Sequence, residues 1–85
     1  MTTNKISFEK IKAISNEKRF KIIELTQNNK LSIRKISSLI GLAYTKCDDY
    51  ITTLYKLELV SKEKQGKNVL VKSRVILSSN KIEFT

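Results

Sequence analysis

Two amphipathic segments separated by only three residues constrain the fold of this chain more than any other feature. The first segment follows Ser32, a good N-cap residue, and its apolar side chains share one helical face: Ile33, Ile36, Leu39 and Ile40. Gly41 ends this helix, and after Leu42 and Ala43 a second stripe repeats at the spacing of a buried helical face: Cys47, Tyr50, Ile51, Leu54 and Leu57. Two helices joined by so short a connection form a helix–turn–helix.

The sequence predicts two further helices before this motif. Ser7 can cap a short helix that ends at Ile14 and carries an apolar stripe of Phe8, Ile11 and Ile14. Asn16 is a good N-cap for a second helix, which ends before the turn Gln27-Asn28-Asn29 and contains four apolar residues: Phe20, Ile22, Ile23 and Leu25.

After Glu58 the period of the pattern changes from helix to strand. Leu59 and Val60 begin a strand, Gln65-Gly66-Lys67-Asn68 is rich in turn residues, and Val69-Leu70-Val71 is apolar and largely β-branched. This pattern predicts a β-hairpin. Ser78-Ser79-Asn80 breaks the chain again, and residues 81–85 alternate polar with apolar as a half-buried edge strand or an ordered tail would.

The charge balance indicates a polyanionic partner. The chain of 85 residues has 17 Lys and Arg against 8 Asp and Glu, a formal net charge of +9. A domain this basic points to nucleic acid. The alternative is a lysine-rich composition that reflects only a biased genome or a heat-adapted surface.

Several other classes of protein are not expected. A chain of this length forms one small domain, here residues 1–85, and has no linker or repeat. With one cysteine and no histidine, neither an internal disulfide nor structural zinc is expected, and no pair of carboxylates or lysines has a catalytic spacing. We therefore expect no enzyme, metal or cofactor. Since no apolar stretch could span a bilayer or serve as a signal peptide, we expect a cytoplasmic protein.

Three segments resemble one family of regulators. Residues 13–25 look like the opening helix of ArsR-type transcriptional regulators, residues 31–42 are similar to the first helix of that family's helix–turn–helix, and residues 50–60 resemble its recognition helix entering the wing. The resemblance implies an α+β winged helix–turn–helix fold, with three to four helices followed by a β-hairpin wing. It also implies a DNA-binding transcriptional regulator.

The chain departs from this family in two respects. It has no Cys or His cluster of the kind that metal sensors use, and Cys47 falls on the apolar stripe, so we do not carry over metal sensing and expect a small core residue. Only about a dozen residues follow the wing, where dimeric relatives have a long pairing helix. We expect a homodimer whose contacts come from the first helix or the final strand, with Phe8 and Ile11 or Ile82 and Phe84 as the candidate surfaces.

The resemblance and the helical spacing together suggest a set of DNA-contacting residues. The N-terminus of the first motif helix can hold a phosphate, with Ser32, Arg34 and Lys35. The recognition helix turns its N-terminal and outer residues to the groove: Tyr44, Thr45, Lys46, Asp49, Thr52 and Lys56. Tyr44 is also consistent with partial packing. The hairpin supplies a positive tip: Lys62, Lys64, Lys67, Asn68 and Lys72, whose alternative role is to protect an edge strand from aggregation.

Asp48 and Asp49 keep a second class of function open. Carboxylates on this helix repel phosphates unless one accepts a hydrogen bond from cytosine or pairs with a lysine. The helix can instead belong to a winged-helix module that binds protein in a larger nucleoprotein, division or transcription assembly.

Overall fold

The computed structural model describes residues 2–78 and 81–84, with side chains from residue 8 onward. The described residues form four helices and two antiparallel sheets, and the first strand lies between the second and third helices. The elements are α1 (Thr2–Ile14), α2 (Glu17–Leu25), β1 (Leu31–Ser32), α3 (Ile33–Ile40), α4 (Tyr44–Lys56), β2 (Val60–Gln65), β3 (Asn68–Ser73), β4 (Val75–Ser78) and β5 (Lys81–Phe84). This is the predicted α+β winged helix–turn–helix. Within the described residues, no helix is long and apolar enough to cross a membrane.

Local capping chemistry sets most of the helix ends. The side chain of Asn16 accepts a hydrogen bond from the Arg19 amide at 3.1 Å and begins α2. Ser32 begins α3 in the same way, and Gly41 ends α3 in the left-handed conformation that a glycine adopts without strain. These three predictions are confirmed. The predicted cap at Ser7 is wrong, because α1 begins at Thr2 and Ser7 lies inside it.

One hydrophobic cluster holds the helices against the wing. It contains residues from all four helices and from the strands, among them Ile14, Ile22, Ile36, Ile51 and Val71. Leu39 was predicted to share the buried face of α3 and does not, since its side chain is 51% exposed. It lies beside the cleft between α2 and α3, next to Phe20 and Ile40, where no described element covers it.

The wing belongs to a three-stranded sheet with the order β1-β3-β2. The hairpin β2–β3 turns at Gly66 and Lys67, as predicted, and Gly66 has the positive φ that favours glycine there. The short strand β1 was not predicted. It pairs Leu31 with Val71 and Ser32 with Leu70, and so fixes the start of α3 to the wing.

The remaining strands form a separate C-terminal ribbon, β4–β5. Of the two alternatives predicted for residues 81–85, a strand forms over Lys81–Phe84, but three of its four residues are exposed and not half-buried. Its partner β4 was not predicted. Ser79 and Asn80 of the predicted break lie outside the described residues. Gln27 attaches the ribbon to the end of α2. Its Nε2 donates to the Val75 carbonyl oxygen at 2.7 Å, and its Oε1 accepts from the Leu77 amide at 3.0 Å. The side-chain amide thus gives β4 the donor and the acceptor that a neighbouring strand would give.

Candidate nucleic-acid interface

The N-terminus of α3 is exposed and basic. Ser32 Oγ accepts a hydrogen bond from the Lys35 backbone amide at 3.0 Å, so the serine hydroxyl caps the helix. The side chains of Arg34 and Lys35 are exposed beside this end. The helix dipole and the remaining first-turn amides favour an anion here, and phosphate binding by these three residues stays a prediction.

The first turn of α4 has no side-chain cap. Its N-cap residue is Ala43, so no side chain occupies the amides at the start of the helix. Thr45 and Lys46 follow with exposed side chains, and Asp49 and Lys56 are exposed further along. Thr52 is half-buried. This end of α4 can therefore offer backbone donors together with side chains to an external partner.

Two tyrosines lie on one stripe of α4 and contact cations from neighbouring elements. Tyr44 and Tyr55 are eleven residues apart, which is three helical turns and roughly 16 Å. The Arg34 guanidinium of α3 lies 5.7 Å from the Tyr44 ring centroid, and the Lys62 ammonium of the wing lies 4.7 Å from that of Tyr55. Both rings remain about half exposed, at 46% and 48%. The α3 N-terminus, one side of α4 and the wing thus form one continuous surface.

The two faces of the wing differ in charge. Lys62 and Lys64 pair with Val71 and Val69 in the sheet register, so both lysines lie on the face that the wing turns towards α4. Glu63 lies on the other face, where it forms an ion pair with Lys30. The positive charge of the strand is therefore concentrated on the side next to α4.

The structure separates two predicted residues from this surface. The Lys72 ammonium donates a hydrogen bond to the Gln27 carbonyl oxygen at 2.7 Å, so Lys72 lies at the base of the wing and not at its tip. Lys46 lies on the opposite flank of α4, with its ammonium 5.2 Å from the Tyr50 ring centroid. Lys67 and Asn68 are exposed at the tip, as predicted.

Sequence reasoning missed two residues of this region. Tyr55 was not assigned a role, and Arg74 follows the wing without any motif to mark it. Both line a cleft of about 520 Å³ between the end of α4 and β2, together with Lys56 and Lys62. Arg74 lies 4.0 Å from Glu58, in an ion pair across this cleft. The spacing of Tyr55 from Tyr44 was the only signal in the sequence that could have identified it.

The acidic pair is placed where it affects the interface. Asp49 is exposed on the outer side of α4 and Asp48 is half-buried on the side nearer the tyrosine stripe. In the part of the chain that the structure describes, no ion pair involves either carboxylate. Their charge therefore faces any partner that meets α4.

Cys47 is a core residue, in agreement with the prediction. It is fully buried, and its thiol lies 3.9 Å from the Ile33 carbonyl oxygen. Burial, and to a smaller extent the charge of Asp48, raises the pKa of the thiol to about 11. Because the thiolate is the reactive and metal-binding form, this cysteine is poorly suited to either chemistry.

Comparison with solved structures identifies the fold. The chain is similar to reduced HlyU from Vibrio cholerae, with a TM-score of 0.80 and 24% identity over 85% of this chain and 76% of that one. It is similar to a homodimeric winged helix–turn–helix DNA-binding domain from Mycobacterium bovis, described as a possible ArsR-family transcriptional regulator, with a TM-score of 0.79 and 18% identity over 85% and 67% of the two chains. It is also similar to NolR from Sinorhizobium fredii, with a TM-score of 0.78 and 18% identity over 85% of this chain and 72% of that one. No protein-family model and no curated protein sequence matches the chain. The chain therefore has the ArsR-like winged helix–turn–helix fold.

Proposed function

We propose that this protein is a transcriptional regulator that binds specific sites in double-stranded DNA as a homodimer. One observation carries the proposal: α3, α4 and the wing expose Arg34, Lys62 and Lys64 around a single surface, on which Tyr44 and Tyr55 connect the three elements. A groove-binding helix flanked by two phosphate-binding elements is how winged helices bind DNA.

The residues divide into two roles in this proposal. Phosphates are held by residues of α3 and the wing: Ser32, Arg34, Lys35, Lys62, Lys64, Lys67 and Asn68. Base edges are read by residues of α4: Tyr44, Thr45, Asp49, Thr52 and Lys56. Lys46, on the opposite flank of α4 beside Tyr50, is not part of this surface. Lys72 would contribute only if its hydrogen bond to the Gln27 carbonyl oxygen opened.

The structural neighbours support a regulatory role without catalysis. The Mycobacterium bovis domain is a DNA-binding homodimer, and HlyU from Vibrio vulnificus is a transcriptional regulator. Metal sensing is not part of the proposal, because the one cysteine is in the core and the sequence has no histidine. We expect such a regulator to act in the cytoplasm.

Binding is expected to depend strongly on salt. Each phosphate neutralised by a lysine or arginine should add about −0.9 to the slope of log affinity against log salt. Titrations of labelled duplex DNA between about 50 and 200 mM salt, with and without random competitor DNA, measure this slope and the specificity together. Affinity that does not change with salt, or no binding at the lowest salt, would reject the proposal.

A second candidate function rests on the acidic pair. Because Asp48 and Asp49 have no ion-pair partner within the described residues, α4 can instead meet a basic protein surface. Asp49→Ala separates the two functions. If α4 enters the groove, the substitution removes repulsion, raises affinity for random DNA by roughly threefold, and costs about 1–3 kcal/mol of discrimination where Asp49 reads cytosine.

Glu24→Ala provides the matched control. Glu24 is an exposed carboxylate on α2, paired with Lys21 at 3.8 Å, so its removal changes the net charge by the same amount away from α4. DNA affinity that responds equally to both substitutions would show an effect of net charge alone. No change in DNA affinity for Asp49→Ala, together with loss of a protein partner, would favour the interaction module.

A further inference from the structure

The outer edge of β5 is unpaired within the described residues. Val75 and Leu77 direct backbone groups away from β5 and towards Gln27. The backbone N–H and C=O groups of successive residues point to opposite sides of a strand. The backbone groups of Ile76 and Ser78 therefore face β5, where these residues pair with Glu83 and Lys81. The backbone N–H and C=O groups of Ile82 therefore point to the open side. One edge of the ribbon is covered by Gln27, and the other is available to a further strand.

The sequence of β5 is complementary to itself in one register. If two antiparallel copies are centred on Ile82, the two Ile82 residues form a hydrogen-bonded pair on the two-fold axis. Lys81 then lies opposite the partner's Glu83, and Glu83 lies opposite the partner's Lys81. Centring on Glu83 instead would place two like charges opposite each other, which destabilises a cross-strand pair. Charge complementarity thus selects the register centred on Ile82.

Apolar surface continues from this edge onto α1. Ile82 lines an apolar groove of about 370 Å³ together with Ile11, Phe20 and Phe84. The side chains of Phe8 and Ile11 on α1 are more than half exposed. Since a two-fold axis between antiparallel strands is perpendicular to the sheet, both copies of α1 would lie on the same face of the joined ribbons. The exposed apolar residues of the two copies would then face the same axis.

We propose that two copies of this chain pair through β5, forming a four-stranded intermolecular sheet centred on Ile82 and covered on one face by both α1 helices. This deepens the proposed function and rests on it, because it supplies the contact of the homodimer that binds DNA.

A pair of cysteine substitutions tests the contact. In the dimer, Ile82→Cys places two cysteines on the axis with Cα atoms about 5.5 Å apart, within the range of a disulfide. Ile76→Cys is the matched control, because Ile76 and Ile82 are similarly exposed, at 49% and 45%. Ile76 lies on β4, so its two copies would be three strand spacings apart, roughly 14 Å. Under mild oxidation we expect a covalent dimer for Ile82→Cys only.

Charge exchange tests the register. Lys81→Glu and Glu83→Lys should each raise the dimer dissociation constant roughly tenfold, because each places like charges opposite each other twice per dimer. Because Lys81 and Glu83 also form an ion pair within one chain, at 3.0 Å, the two single variants are also mixed: their heterodimer again has opposite charges across the strands, so the mixture should restore dimerisation. Analytical ultracentrifugation measures these constants. Weakening in both single variants that their mixture does not reverse would overturn the register.

The failure of this proposal differs from the failure of the proposed function. A mass near 9.8 kDa at tens of micromolar, or equal cross-linking at positions 76 and 82, would overturn the pairing through β5. A monomer that still shifts duplex DNA would overturn the pairing and leave DNA binding in place. A dimer cross-linked at position 82 that binds no DNA would support the pairing and reject the DNA-binding role.

Discussion

Alanine at both Lys62 and Lys64 is expected to weaken binding to any duplex DNA by roughly 60-fold at about 0.1 M salt. Both lysines lie on the face of the wing next to α4, and the carboxylate between them lies on the other face. Each substitution removes one phosphate contact. A change of about 0.9 in the slope of log affinity against log salt corresponds to roughly an eightfold loss of affinity at this salt concentration. The salt slope should therefore flatten by about two units, with specific and random DNA affected alike.

Lys30→Ala is the matched control for the wing variant. Lys30 is an exposed lysine whose ammonium pairs with Glu63 on the far face of the wing. Its removal lowers the net charge but should leave the salt slope almost unchanged. A loss of DNA affinity as large for Lys30→Ala as for one wing lysine would mean that net charge, and not the placement of the lysines, controls binding.

The parts of the fold that depend on local chemistry could be predicted from the sequence. Asn16, Ser32 and Gly41 set helix ends through bonds or backbone angles within a few residues of themselves. The buried face of α4 could also be predicted, because a helix that packs on a core needs apolar residues at a fixed spacing. The turn at Gly66 follows from the same kind of local requirement.

The parts that depend on distant partners could not be predicted. Leu31 and Ser32 form a strand only because β3, some forty residues later, lies beside them. Leu39 has the spacing of a buried residue, yet the neighbouring helices leave that side of α3 open. The ribbon β4–β5 depends on the side chain of Gln27, about fifty residues away. A single sequence contains no signal for such contacts.

The candidate interface shows the same division. Helical spacing assigned Thr45, Asp49 and Lys56 to the outer side of α4, where the structure has them exposed. It could not show that Lys72 bonds to the Gln27 carbonyl oxygen, or that Lys62 lies over Tyr55, because those contacts join different elements. The role of each residue towards DNA remains a prediction.

Gln27→Glu is expected to lower the free energy of unfolding by about 2–4 kcal/mol at neutral pH. The two protons of the Gln27 Nε2 have three acceptors within hydrogen-bond distance: the Val75 carbonyl oxygen at 2.7 Å, Ser73 Oγ at 2.9 Å and the Ile23 carbonyl oxygen at 3.1 Å. A carboxylate has the same shape but no proton to donate, so it would face these acceptors with a negative charge. The ribbon should detach first, which amide hydrogen exchange at Leu77 would detect.

The penalty of this substitution should depend on pH, and the sign follows from the acceptors around the new carboxyl. They disfavour its charged form, so its pKa is higher in the folded protein than the ordinary value of about 4.3 in the unfolded chain. The free energy of unfolding of the variant should be closest to that of the wild type below pH ~4.3, and it should fall as pH rises through the folded-state pKa of the new carboxyl. Gln65→Glu, at an exposed position of β2, is the control and should change stability little. Urea unfolding at pH 4 and pH 7 measures both variants, and an equal loss for Gln27→Glu at the two pH values would contradict this account of how Gln27 holds the ribbon.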